Sequence, residues 1–182
     1  MKSWGGSKLV SRRYTPVVPT VQELRYFEAS PEARAGIVAQ LRAALNERPE
    51  IRLAYLLGSF VQARPFRDID IAVYLEPTFL QGVDPLRYCF QLADALERAV
   101  GYPVEVHRLN DAPCGFRFSA TCGQVLLSRD EAFRLEWTER TWHEYADFEP
   151  YRRMYLREWL RPFREKYEQY AEATDANRRA AR

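Results

Sequence analysis

The sequence predicts an α/β (α+β) domain, a small mixed β-sheet flanked by helices, with a helical extension at the C-terminus. Three observations carry that expectation. Two strand-like segments, "IRLAYLL" (51–57) and "DIDIAVYL" (68–75), stand close together. Amphipathic helical segments lie on either side of them, and from Asp130 onward nearly everything reads as helix. At 182 residues the chain has room for one domain with a real core and an extension. The division expected is a loose N-terminal arm over 1–25, a core over 26–130 and a C-terminal helical region over 131–182.

The first helix is announced by Ser30-Pro31, an N-cap followed by proline at the first helical position. Ile37, Val38, Leu41 and Leu45 recur at helical spacing, and Pro49 ends the element near residue 48. The run 51–57 is almost continuously apolar up to Gly58, the pattern of a strand buried on both faces. In 68–75 the pattern alternates strictly. Asp68, Asp70, Ala72 and Tyr74 share one face, and Ile69, Ile71, Val73 and Leu75 the other.

A second helix opens at Asp84-Pro85, carries Cys89, Leu92, Leu96 and Val100 along one face, and stops at Gly101. "VEVHRL" (104–109) alternates again, with Glu105 and His107 opposite Val104 and Val106. A Pro/Gly-containing loop then leads to a short strand, "GQVLLS". The C-terminal helix is expected to break near Phe148-Glu149-Pro150. Beyond that point Tyr151, Tyr155, Trp159, Phe163, Tyr167 and Tyr170 recur at near-fourfold spacing, with a kink expected at Pro162. Either core packing, or burial against a partner or a second copy, would cover such a stripe. The final "NRRAAR" reads as a frayed basic tail.

Composition narrows the function classes. The chain is 47% hydrophobic and 29% charged, with a net charge of +2, which gives no support for a general nucleic-acid binder. Cys89, Cys114 and Cys122 form no CxxC or Cys/His ligand spacing, so a zinc site or disulfide framework is not expected and the thiols read as mostly buried. No window is apolar enough over the roughly 20 residues a membrane helix needs. "MKSWGGSKLVSRRYTPVVPT" lacks the apolar core of a signal peptide, so a cytoplasmic protein is expected.

The chemistry concentrates between residues 56 and 75. Two carboxylates on one strand face repel unless a cation lies between them. A hard divalent ion such as Mg²⁺ takes oxygen ligands of this kind, and two such ions about 3.5–4 Å apart serve phosphoryl and nucleotidyl transfer. The Gly58-Ser59 turn lets backbone approach a phosphate, with N–H and hydroxyl donors at hand. On residues alone, Asp68 and Asp70 could equally be a solvated strand face.

The segment "YLLGSFVQARPFRDIDIAVYL" resembles the nucleotidyltransferase signature of the DNA polymerase β superfamily, and specifically its minimal stand-alone nucleotidyltransferases. There a strand ends in Gly-Ser and the next strand carries Asp-x-Asp, matched here by Gly58, Ser59, Asp68 and Asp70. A third carboxylate on a later strand is matched by Glu105 in "PVEVHRLN", and the likeness extends over roughly 33–145. The loop from Phe60 to Arg67 is shorter than the family's usual one, and a glutamate replaces the usual aspartate.

The resemblance implies AMP transfer from ATP to a hydroxyl, with two Mg²⁺ ions expected. Asp68, Asp70 and Glu105 would hold the metals and act as the catalytic set, while Gly58, Ser59 and Arg67 would bind the nucleotide. Arg64 is a further loop cation that could be either phosphate ligand or solvated surface. Such enzymes are similar to antitoxins whose partner is a HEPN-type toxin, modified on a tyrosine. Two other readings stay open: a module of this fold that neutralises a partner by binding alone, and a small-molecule transferase of aminoglycoside type. The latter would draw on Glu136, Glu139, Glu144, Asp147 and Glu149. His107, on the same face as Glu105, reads either as the partner of a carboxylate or as exposed, with exposure favoured, and His143 as packed or at the surface.

Overall fold

A computed structural model describes residues 25–180; the expected arm over 1–25 falls almost wholly outside the described residues. Helix α1 (Pro31–Asn46) starts as expected, because the Ser30 hydroxyl accepts the Ala33 N–H and Pro31 occupies the first turn. Strand β1 (Ile51–Leu57) runs directly into the one-turn helix α2 (Gly58–Val61), and β2 (Ile69–Leu75) follows. After the short α3 (Pro77–Leu80), helix α4 (Pro85–Val100) is capped by the Asp84 carboxylate, which accepts from the N–H groups of Leu86 and Arg87. It ends at Gly101, whose φ of 75° is the left-handed conformation that glycine adopts without penalty. Strand β3 (Val104–Arg108), helix α5 (Cys114–Thr121), strand β4 (Gln124–Ser128) and helix α6 (Glu131–Ala180) complete the chain.

The four strands form one mixed sheet in the order β3-β2-β1-β4. β1 is antiparallel to both β2 and β4, whereas β2 and β3 are parallel and are connected through α4, as a parallel pair requires. Strand alternation sorts side chains to two covered faces. Ile69, Ile71, Val73 and Leu75 join Leu41, Leu45, Leu92 and Leu96 of α1 and α4 in the larger core. On the opposite face Ala72 packs with Leu53, Tyr55, Ala120 of α5 and Trp137 of α6, and Tyr74 meets Phe133 and Trp137 edge-on or tilted. Asp70 belongs to this second face. The two helices that cover Ala72 and Tyr74 leave Asp70 half-buried at the end of the strand.

Several expectations need correction. The loop before "GQVLLS" contains α5, and no break occurs at Phe148–Pro150: α6 runs through both Pro150 and Pro162. The turn around Pro150 is held by Glu149, which pairs with Arg152 and Arg153 three and four residues on. Helical backbone also continues through Ala180 where a frayed tail was expected. Of the three cysteines, all free, only Cys89 is buried; Cys114 is intermediate and Cys122 exposed. No helix among the described residues is long and apolar enough to cross a membrane.

Candidate active site

β2 pairs with β3 in a register that sets Asp70 directly opposite Glu105, and with β1 in a register that sets it opposite Leu57, the residue before Gly58. Three strands therefore deliver Asp70, Glu105 and the Gly58 turn to one sheet end. Gly58 has a φ of 79°, and a Cβ placed on it would lie 2.0 Å from Asp70 Oδ2. Any side chain there would occupy the space of that carboxylate. Glycine is thus required twice over, for its backbone conformation and for the room it leaves.

His107 completes the cluster: it is partly exposed and also neighbours the carboxylates, the less favoured of its two readings. Two residues beyond Glu105, it returns to the same face of β3, with its side chain 38% exposed. Its Nε2 lies 3.7 Å from Asp70 Oδ1 and 3.7 Å from Glu105 Oε2. One ligand atom from each of Asp70, Glu105 and His107 falls within 4.8 Å of the others. The Asp70 carboxylate, followed by the charges of Glu105 and Asp68, raises the His107 pKa above its ordinary value against the opposing effect of burial. Phe116 of α5 meets the imidazole edge-on at a ring separation of 5.2 Å.

Asp68 sits immediately before β2, which starts one residue later than the pattern of 68–75 suggested. Its carboxylate takes the Arg67 Nε at 3.3 Å and lies outside the Asp70–Glu105–His107 trio, while remaining near enough to act on His107 through its charge. Arg67, offered as a nucleotide ligand, thus spends its charge on Asp68 here. Ser59 is the second residue of α2 and half-buried beside Gly58.

The short loop between Ser59 and Asp68 is tied down by Arg34 of α1, a residue to which no sequence pattern pointed. Its guanidinium donates to the Phe60 carbonyl at 2.5 Å and the Arg64 carbonyl at 2.7 Å, and lies over the rings of Phe60 and Phe66. Phe60 and Phe66 are buried and packed edge-on, and Phe66 exchanges backbone hydrogen bonds with Phe27. The tightness of the loop shows at Ala63, which adopts a left-handed φ of 56°. His107 did have a signal: it shares the alternation that singled out Glu105.

A carboxylate pair with an adjacent imidazole and no side chain beneath is a donor set suited to a divalent cation, and these residues fit one. Asp70 and Glu105 supply hard oxygen ligands, and His107 a nitrogen.

Comparison with known proteins accords with this arrangement. A family model described as polymerase beta nucleotidyltransferase matches residues 39–132. No curated protein matches the sequence. Among solved structures, a toxin–antitoxin with AMP-PNP is 21% identical with a TM-score of 0.57, the match covering 68% of this chain and 98% of that one. An MNT antitoxin in complex with a tri-AMPylated HEPN toxin, from Shewanella oneidensis, is 21% identical over 71% of this chain and 97% of the other, with a TM-score of 0.52. An MntA–HepT toxin–antitoxin is 20% identical over 72% and 99%, also with a TM-score of 0.52. At these identities the structures share the fold.

Proposed function

Because the chain belongs to the polymerase beta nucleotidyltransferase family, whose model matches residues 39–132, we propose that it transfers AMP from ATP to a protein hydroxyl, in the cytoplasm. The acceptor we assign is a tyrosine of a HEPN-type toxin, which makes this protein the antitoxin of the pair. The observation that carries the reading is the register that sets Asp70 beside Glu105 over a glycine with no room for a side chain.

In the transfer, the acceptor oxygen forms a bond to the α-phosphorus while the bond from that phosphorus to the β-bridging oxygen breaks, and pyrophosphate leaves. Asp70 and Glu105 would hold divalent metal, and Asp68, paired with Arg67 at 3.3 Å, would be a further ligand. Bound Mg²⁺, two ions in the reading adopted here, would neutralise charge on the triphosphate and on the leaving pyrophosphate. Glu105, 57% exposed, is the carboxylate open to an incoming acceptor and accepts its proton. Gly58 and Ser59 would approach the distal phosphates, and Arg67, beside Asp68, would supply a cation to them.

A protein acceptor is favoured over a small molecule by what surrounds the site. Glu144 pairs with Arg117, and Glu149 with Arg152 and Arg153, so two of the acids available to an aminoglycoside-like substrate are already engaged. The far half of α6 meanwhile presents large apolar side chains to solvent, including Tyr155, Trp159 and Phe163.

The test is intact-mass analysis of a HEPN toxin encoded beside this protein, after incubation with the full chain, ATP and Mg²⁺. We expect the toxin to gain AMP, and Asp70→Asn to prevent the gain. Inhibition of the toxin without added mass, unaffected by Asp70→Asn, would establish neutralisation by binding alone.

A further inference from the structure

We propose that His107 is a direct nitrogen ligand of the divalent ion held by Asp70 and Glu105, and that this mixed donor set gives the site a preference for Mn²⁺ over Mg²⁺. The inference rests on the metal-dependent reading above and adds to it a ligand and an ion preference.

The geometry is that of a ligand set. Parallel pairing in register puts Asp70 across from Glu105, and the period of two along β3 brings His107 back to the same face. Its Nε2 is equidistant, at 3.7 Å, from one oxygen of each carboxylate. Ligand atoms about 2.1 Å from an octahedral ion lie about 3.0 Å apart when adjacent and about 4.2 Å apart when opposite. Both distances from Nε2 fall between these limits, and ligand atoms of all three side chains lie within 4.8 Å of one another, so side-chain rotation brings them onto one ion.

The setting holds the imidazole there. Phe116 packs edge-on against the ring, so His107 cannot swing freely off the carboxylates toward α5. On the other side Gly58 leaves the Asp70 carboxylate unobstructed, because a Cβ would sit 2.0 Å from Oδ2.

Ligand chemistry then sets the preference. Mg²⁺ seeks oxygen ligands and keeps much of its water, whereas imidazole suits the first-row transition ions and binds them in the order that places Mn²⁺ at the weak end of the series. Mn²⁺ shares the octahedral habit of Mg²⁺ yet accepts nitrogen, so it gains from His107 what Mg²⁺ does not. If His107 instead serves only as a cation neutralising two carboxylates, no metal–nitrogen bond forms and the preference vanishes.

Pulsed electron paramagnetic resonance on the full wild-type chain loaded with Mn²⁺ alone reads the bond directly. We expect ¹⁴N modulation from a coordinated imidazole, lost in His107→Gln. Calorimetric titration with Mn²⁺ and with Mg²⁺ should show the ratio of the two affinities falling about 10-fold or more in His107→Gln, with most of the change on Mn²⁺. Absence of ¹⁴N modulation in the wild type, which needs no variant and no folding control, overturns the proposal, as does an unchanged ratio. AMP transfer without nitrogen coupling would sink this inference alone, and nitrogen coupling without AMP transfer would sink the transferase reading alone.

Discussion

At Gly58 the backbone and the chemistry impose the same requirement, since its φ of 79° and the 2.0 Å approach of Asp70 Oδ2 to a Cβ position both penalise any other residue. Gly58→Ala should cost about 1–2 kcal/mol in stability for the left-handed conformation. It should also displace the Asp70 carboxylate, and in the catalytic role proposed for Asp70 such a misplacement costs on the order of 100-fold in rate. Denaturant unfolding and AMP transfer by the same preparation measure the two; normal transfer by a folded Gly58→Ala protein would show that the contact has no bearing on the site. Ala63 is the converse case. It carries a φ of 56° in the exposed part of the shortened loop, so glycine relieves about 1 kcal/mol of strain while adding about 0.4–1 kcal/mol of unfolded-chain entropy. Ala63→Gly should therefore melt at or slightly above the wild-type temperature. A clear drop in melting temperature would mean that Ala63 is unstrained.

Among the elements, those with a side-chain cap or a strict period were legible and those without were not. α1 and α4 open at Ser30-Pro31 and Asp84-Pro85, whose side chains accept backbone N–H groups, and β2 alternates cleanly. α5 begins after Pro113 with no side-chain cap and has glycine in its first turn, so its eight residues read as loop. Pro150 suggested a break because it removes a helical hydrogen bond and crowds the preceding turn. Its exposure and the flanking ion pairs of Glu149 allow the helix to continue. Within the site, the strand period announced Asp70 and Glu105, while the loop clamp by Arg34 depends on a contact between distant segments that no local pattern encodes. The start of α6 has a pH signature of its own. Arg134, then Ser128, hold the Glu131 carboxyl at about 2, below its ordinary 4.5. A lowered folded-state pKa contributes stability that is fully present above 4.5 and lost as pH falls toward 2. Glu131→Gln should accordingly flatten the fall in stability across that window, as measured by denaturant unfolding at stepped pH; an unchanged slope would remove Glu131 from the acid response.

For the whole molecule, the division of labour lies along α6. Its first turns pack Phe133 and Trp137 on the sheet, and Arg117 of α5 pairs with Glu144, so this half belongs to the α/β body. Farther on, Tyr155, Trp159 and Phe163 are 68%, 56% and 62% exposed, so of the two readings open for the stripe, packing into the core is not the one the fold adopts. The cause is length: α6 has 50 residues, about 75 Å at 1.5 Å per residue, whereas the longest strands have 7 residues, about 23 Å. At about 40° per four-residue step, the stripe from Tyr151 to Tyr167 winds roughly 160° around the helix. The stripe also lies outside residues 39–132, the part matched by the nucleotidyltransferase family model. A surface of this kind is suited to a partner that wraps the helix, and each aromatic can bury about 150–250 Å². Replacing Tyr155, Trp159 and Phe163 together by serine should leave the melting temperature close to that of the wild type, because these side chains support little of the core. The same variant should fail to form a complex with the proposed HEPN-type toxin by light scattering, while its affinity for Mn²⁺ at Asp70 and Glu105 stays unchanged. Retention of the complex would move the partner contact onto the α/β body, and a large loss of thermal stability would show that the stripe packs within the molecule after all.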